Sequence, residues 1–237
     1  MSPVTSREWR LKSRPVGTPT QQNFQMETVQ VPEPGEGQIQ VKNHWITVDP
    51  YMRGRMNDVR SYSAPFELGE AMTGGALGQV IASRNPAYKE GDLVTSMAGW
   101  REAWTAAPNT LGTVKLPPTN LPPQAFLGAM GMTGLTAYAG LLRLGEPKPG
   151  ETVFVSGAAG AVGSIVVQIA KIKGCNVVAS AGGKDKCDWV KSLGADAVID
   201  YKALGSGAEL SAALRAAAPK GVDVYFDNVG GDHLTAA

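Results

Sequence analysis

The chain has 237 residues, 43% of them hydrophobic, 18% charged and 7% aromatic, which is room for one large domain or two ordinary ones. Lys and Arg number 22 against 21 Asp and Glu, so a net charge of +1 gives no broad electrostatic footprint for nucleic acid or an anionic membrane. No apolar run approaches the roughly 18 to 20 residues that span a bilayer, and Arg7, Arg10, Lys12 and Arg14 are followed by no apolar segment of the kind a secretory signal needs. Two cysteines, Cys175 and Cys187, exclude a disulfide framework and suit a reducing cytosol.

Residues 1–122 are rich in Pro, Gly and short alternating apolar stretches. In QIQVKNHWITVD, Ile39, Val41 and Trp45 are spaced as a half-buried strand requires. ALGQVIAS and DLVTSM are further short strands, and EPGEG at 33–37 and YKEGD at 88–92 are turn signals, since Gly supplies positive φ. Strands this short and this closely spaced predict an all-β or barrel-like unit. LPPTNLPP at 116–123 is a stiff connection.

The period then changes. Residues 125–143 are read as helical despite four glycines, and after PKPG the chain alternates strand and helix. Strands are predicted near 152–156, 176–181, 196–200 and 222–227, with helices near 161–173, 184–193 and 207–217. Such alternation predicts an α/β unit with a parallel sheet covered by helices.

The strongest chemical signal is VFVSGAAGAVGS at 153–164, an apolar strand running through Gly157, Gly160 and Gly163 into a helix. A tight glycine turn at a helix N-terminus lets backbone N–H groups approach a pyrophosphate. The match to G-x-G-x-x-G is imperfect, because Ala158 stands where the first glycine belongs. At the end of the next strand, NVVASA runs into Gly182, Gly183 and Lys184, with Lys186 close behind and Asp185 between the lysines. No carboxylate stands at the strand end to hold ribose hydroxyls, and a lysine there favours the 2′-phosphate of NADP over NAD; a solvated helix start is the other reading.

TVDPYMRGRM at 47–56, GMTGLTAYAGL at 131–141, GAAGAVGS at 157–164, IDYK at 199–202 and YFDNVGG at 225–231 together resemble the zinc-independent medium-chain dehydrogenase/reductases. Within them the chain is similar to the group of leukotriene B4 dehydrogenases, prostaglandin reductases and NADPH-dependent curcumin reductases, with the bacterial curcumin-reductase branch nearest. The resemblance covers essentially the whole chain. It implies a GroES-like, β-rich catalytic domain over 1–122 and a Rossmann doubly wound parallel sheet over 123–237. It implies NADPH-dependent reduction of the carbon–carbon double bond of α,β-unsaturated ketones and aldehydes, in the cytoplasm, by a homodimer in full-length members.

Carried across motif by motif, the resemblance puts Gly160, Ala161, Val162 and Gly163 on the pyrophosphate turn. Lys186 falls on the position that meets the 2′-phosphate, and Tyr201 on a second residue flanking it. Asn228 lies near the nucleotide, and Thr133 is a candidate nicotinamide contact. No metal ligands are expected: GEAMTGG at 69–75 stands where zinc relatives carry a histidine-bearing segment, and both cysteines lie in the nucleotide half. His44 is read as structural or exposed, and His233 has no visible partner.

Tyr51 and Tyr62 are the candidate substrate residues, and Tyr51 is the candidate catalytic one. Hydride delivery to the β-carbon leaves an enolate oxygen that needs a hydrogen-bond donor, and a phenol can supply one or only wall the cleft. Arg53 and Arg55 are read as fixed structural cations. A quinone reductase of the same superfamily and a catalytically silent NADPH-binding protein remain as alternatives. Family members continue well past DNVGG, so a truncated or divergent short form is expected, with the strand VDVYFD left as an open edge.

Overall fold

The computed structural model describes residues 3–237, in two compact units that divide between Leu127 and Gly128. The division falls after the 3-10 turn Pro123–Leu127 rather than at 122/123, because that turn packs on the β-sheet of the first unit.

The first unit is β-rich. Strands β1 (Val4–Leu11) and β2 (Phe24–Val31) form an unbroken antiparallel hairpin from Val4↔Val31 to Leu11↔Phe24. Sequence periodicity gives no sign of β1, because its inward face is partly polar. Ser6 and Glu8 are buried while Trp9 is 40% exposed. The inward polar groups are satisfied: Ser6 Oγ accepts from the N–H groups of Glu102 and Ala103 at 3.1 and 3.0 Å, and Glu8 pairs with Arg10 at 2.5 Å.

A second, five-stranded sheet comprises β3 (Ile39–Ile46), β4 (Ala76–Ser83), β5 (Leu93–Ser96), β6 (Ala103–Ala106) and β7 (Val114–Lys115). Its order is β6-β3-β4-β5-β7, antiparallel throughout. Ile39, Val41, Val80, Val94 and Trp104 form its core. Trp45 breaks the expected alternation: the β3–β4 register shifts between Asn43 and Trp45, and the indole is left 39% exposed. His44 is exposed beside it.

Between β3 and β4, helix α1 (Tyr51–Arg55) leads into a long irregular segment fixed by arginines. Arg55 Nε donates to the Ala64 carbonyl at 2.7 Å and its guanidinium lies 4.1 Å over the Phe66 ring. Arg53 reaches the Gly17 carbonyl at 2.7 Å, and Arg14 the carbonyls of Met56 and Phe66. Both Arg53 and Arg55 are therefore committed to holding backbone in place.

In the second unit the helical stretch predicted over 125–143 is divided into α2 (Met132–Tyr138) and a π-helical turn, Ala139–Gly145. The glycines explain the break, since they admit close approach. A Cβ at Gly134 would lie 1.8 Å from the Ala129 carbonyl oxygen, and one at Gly140 2.6 Å from the Phe226 ring.

The α/β pattern then holds closely: β8 (Thr152–Val155), α3 (Gly163–Ile172), β9 (Asn176–Ala181), α4 (Lys184–Ser192), β10 (Ala197–Asp200), α5 (Gly207–Ala217), β11 (Val224–Phe226) and α6 (Asp232–Ala236). The four strands are parallel in the order β10-β9-β8-β11. Both faces are covered, so the strands are apolar on successive residues. Val153, Val155, Val177 and Ala179 pack with Val166 and Val167 of α3, while Phe154 and Val178 pack with Leu210 and Leu214 of α5. The order reverses direction at β8, so a crevice opens between the carboxyl ends of β8 and β11, where doubly wound sheets take their ligands.

Candidate functional site: the glycine turn and its flanking loops

The first lip of the crevice is the turn between β8 and α3. Gly157 takes a left-handed φ of +57°, and the Gly160 N–H closes back on its carbonyl at 2.9 Å. Gly163 is fixed by crowding, since a Cβ there would sit 2.5 Å from the Gly157 oxygen and 2.8 Å from Ala158 Cα. The role of Ala158 also becomes clear. It is fully buried and its N–H bonds the Ser180 carbonyl at 2.9 Å, so it ties the turn to β9 and does not face outward. Gly160 and Ala161 are the exposed residues of the turn, Val162 is half-buried, and no side chain caps α3. Free N–H groups at a helix start, with no side chain in front of them, fit a diphosphate.

A second cradle lies at the end of β9. A Cβ at Gly182 would meet Tyr201 Oη at 2.8 Å and Lys202 Cε at 2.9 Å, so hydroxyl and lysine chain both lie across that glycine. Asp200 locks the arrangement: its Oδ1 accepts from the N–H groups of Gly183 at 2.9 Å and Lys202 at 3.1 Å. Lys184 is committed to Asp188 at 2.5 Å, one turn along α4. Lys186, in the first turn of α4, is exposed with no hydrogen-bond or ion-pair partner among the described residues. Tyr201 and the β9 turn are thus brought together, and Lys202 joins them as a candidate cation that the sequence motif did not single out. The signal for it was the residue after Tyr201 in DYK.

The other lip is the loop after β11. Asn228 Nδ2 donates to the Ser156 carbonyl at 2.9 Å, and its Cβ and Val229 Cγ2 lie 3.4 and 3.3 Å from where a Gly157 Cβ would be. Asn228 is therefore beside the glycine turn, with its amide nitrogen holding the turn. Thr133, on α2, donates its hydroxyl to the Gly128 carbonyl at 2.9 Å, which occupies the proton of that side chain. His233 is buried, stacked on Phe154 and edge-on to Tyr201 at 5.2 Å, with Nε2 unpartnered among the described residues. Burial pushes its pKa down against the opposing pull of Asp227 and Asp232.

Tyr51 and Tyr62 belong to the first unit. Tyr51 begins α1, half-buried against Met52, Met56, Phe66 and Met72, and burial followed by nearby Asp49 raises its phenol pKa. It is a neutral donor at ordinary pH. Tyr62 is 88% exposed in the following segment. Among the described residues no group of three or more His, Cys, Asp or Glu side chains is placed to hold a metal ion.

Two family models match the chain, one described as the N-terminal domain of oxidoreductase over residues 7–114 and one as zinc-binding dehydrogenase over 161–237. The chain is 42% identical to mouse prostaglandin reductase 1, over 98% of this chain and 68% of that protein. The chain belongs to the zinc-independent medium-chain dehydrogenase/reductase group. Among its relatives in that group, a Bacillus subtilis protein described as putative NADP-dependent oxidoreductase YfmJ is 48% identical over 96% of this chain and 66% of its own length. The NADPH-dependent curcumin reductase of Escherichia coli is 44% identical over 95% and 64%. CurA from Vibrio vulnificus, solved in complex with NADPH, superposes with a TM-score of 0.90 at 41% identity, over 97% of this chain and 67% of that one. The chain thus spans about two thirds of the length of the curated relatives it matches.

Proposed function

We propose that this protein is an NADPH-dependent enone reductase, reducing the carbon–carbon double bond of α,β-unsaturated ketones and aldehydes by hydride transfer to the β-carbon. The observation that carries the reading is the pair of glycine cradles in one parallel sheet. The turn at Gly157–Gly163 is shaped for a pyrophosphate, and Gly182 lies under a tyrosine hydroxyl and a lysine chain, which suits a 2′-phosphate. Relatives described as NADPH-dependent curcumin reductase, prostaglandin reductase 1 and 2-alkenal reductase (NADP(+)-dependent) support the cofactor and the substrate class.

The bound cofactor would supply the hydride, and the protein's own groups do the rest. The free N–H groups of Ala161 and Val162, with no side chain on Gly160 or Gly163 to obstruct them, would hold the diphosphate, Lys186, Lys202 and Tyr201 would hold the 2′-phosphate, and Asn228 and Thr133 would border the nucleotide. Hydride addition at the β-carbon moves the π electrons onto the carbonyl oxygen, and the α-carbon then takes a proton. Tyr51, held neutral by burial, donates a hydrogen bond to that oxygen as its charge develops; Tyr62 borders the substrate. Among the described residues no helix is long and apolar enough to cross a membrane, and both cysteines are free. The same reading makes it a cytoplasmic enzyme acting on small molecules, as the reductases among its relatives do. Homodimer formation by the full-length protein belongs to the same reading.

A second reading, quinone reduction, has one observation in its favour: a Pseudomonas syringae quinone oxidoreductase superposes with a TM-score of 0.69 at 27% identity. Steady-state NADPH oxidation with a simple enone, with a quinone and with no acceptor separates the two. Turnover with the enone and little with the quinone is expected, and the reverse order would replace the proposal with the second reading.

A further inference from the structure

Ser156, the last residue before the glycine turn, is fully buried. Its Oγ accepts the Asn228 N–H at 2.9 Å, lies 3.1 Å from the Tyr225 hydroxyl and 3.2 Å from Asp227 Oδ1. That single carboxylate oxygen also accepts from Tyr225 Oη at 2.6 Å and from the N–H groups of Val229 at 2.9 Å and Gly230 at 2.8 Å. The result is a strut of three side chains joining the two lips of the crevice.

Apart from the Asn228 Nδ2 bond to the Ser156 carbonyl at 2.9 Å, this strut is what gives the 227–231 loop its shape. Asp227, Asn228 and Val229 are exposed, so the loop buries almost no apolar surface of its own. Gly230 and Gly231 both take left-handed φ, +73° and +54°, which leaves the chain free to turn elsewhere if nothing restrains it. The restraint is electrostatically strong. Hydrogen bonds led by that from Tyr225 hold the Asp227 carboxyl down at about 2, while burial and the same carboxylate push the Tyr225 phenol up to about 12.

We propose that Asp227, supported by Tyr225 and Ser156, is a positioning residue for nucleotide binding: it fixes the 227–231 loop against the glycine turn before any nucleotide arrives. This rests on the nucleotide-binding reading above and adds to it the group that pre-forms the crevice. When only a fraction of molecules has the competent loop, apparent affinity falls by that fraction. A loop freed to populate the competent shape about one tenth of the time therefore costs about tenfold in Kd. The loss falls on association, because the bound state is unchanged once formed.

The test is stopped-flow and equilibrium titration of NADPH and NADH on the wild type, Asp227→Asn, Tyr225→Phe and the double variant, each well below its melting temperature. Asp227→Asn is expected to weaken both nucleotides by the same factor, about tenfold, through kon with koff little changed. Tyr225→Phe should lose less, and the double variant no more than Asp227→Asn alone, because one strut is being cut twice. Tyr225→Phe keeps the ring packed on Phe154 and carries the same test if the aspartate variant does not fold. A lowered melting temperature with unchanged Kd and kon would overturn the proposal and leave Asp227 a structural residue. A change in NADPH binding alone would also overturn it, since a pre-formed loop serves both nucleotides alike. A wild type that binds neither nucleotide would instead remove the nucleotide reading, and the proposal with it.

Discussion

Gly160 and Gly163 stand three residues apart in one turn, yet the structure gives them different work, and alanine at each should separate folding from binding. At Gly163 the new methyl would sit 2.5 Å from the Gly157 oxygen and 2.8 Å from Ala158 Cα, both backbone, so the turn itself must shift. Overpacking of that kind costs about 1–3 kcal/mol, offset by about 0.5–1 kcal/mol for replacing glycine at a helical position. The net loss, centred on about 1 kcal/mol and reaching about 2.5 kcal/mol, corresponds to about 2–10 °C in Tm for a chain of this size. At Gly160 the methyl meets only the Gly157 oxygen, at 3.1 Å, and points to solvent, so Tm should stay within about 1–2 °C, as for surface substitutions generally. That same methyl stands where a diphosphate must approach the N–H groups. NADPH and NADH should both weaken at least about tenfold, or 1.4 kcal/mol. Differential scanning fluorimetry and calorimetric titration of the two variants read both quantities. If Gly160→Ala kept wild-type affinity for both nucleotides, the diphosphate would not bind at this turn, and the cradle would be only a tight strand-to-helix connection.

Lys186→Ala should weaken NADPH by about 1.5–3 kcal/mol, the scale of a lost charge-assisted hydrogen bond, and leave NADH nearly unchanged; equal losses in titration would remove Lys186 from the 2′-phosphate. Tyr51→Phe should lower kcat for an enone by about 10- to 100-fold without altering NADPH affinity, whereas an unchanged kcat would make Tyr51 a wall of the pocket. His233 is buried and its pKa is lowered, so the unfolded chain binds this proton more readily than the folded one. Its contribution to stability is complete above the ordinary value of 6.5 and declines as pH falls below it towards the lowered folded value. Tm of the wild type should thus drop from pH 7 to pH 5 more steeply than that of His233→Phe, and parallel curves would show that His233 titrates alike in the folded and the unfolded chain.

The second unit was legible because its strands are buried on both faces and its helices on one, so apolar runs and periodic stretches mark them almost to the residue. β9 and α5 coincide with the predicted spans, at Asn176–Ala181 and Gly207–Ala217. Legibility failed where burial and polarity part company. β1 turns Ser6 and Glu8 inward and leaves Trp9 half out, which inverts the alternation a strand normally displays. Trp45 was misplaced by a register shift that no local pattern records. The 125–143 stretch has helical periodicity, but Gly134 and Gly140 are there for contacts with Ala129 and Phe226, and the second of these is 86 residues away in sequence. Of the candidate site, the glycine turn and Lys186 are reachable from motif and strand context, and Tyr201 only through the family resemblance. The strut was not: Ser156 lies 69 residues from Tyr225 and 71 from Asp227, and only the parallel pairing of β8 with β11 brings them together.

Tracing the hydride tests the two-electron reduction of a carbon–carbon double bond at the β-carbon. NADPH carrying deuterium at nicotinamide C4 is supplied with a simple enone, and the product is read by NMR. A saturated ketone with deuterium on the β-carbon and the carbonyl intact is expected. An allylic alcohol with deuterium on the carbinol carbon would contradict it, as would a saturated ketone free of label from cofactor deuterated on either face of C4.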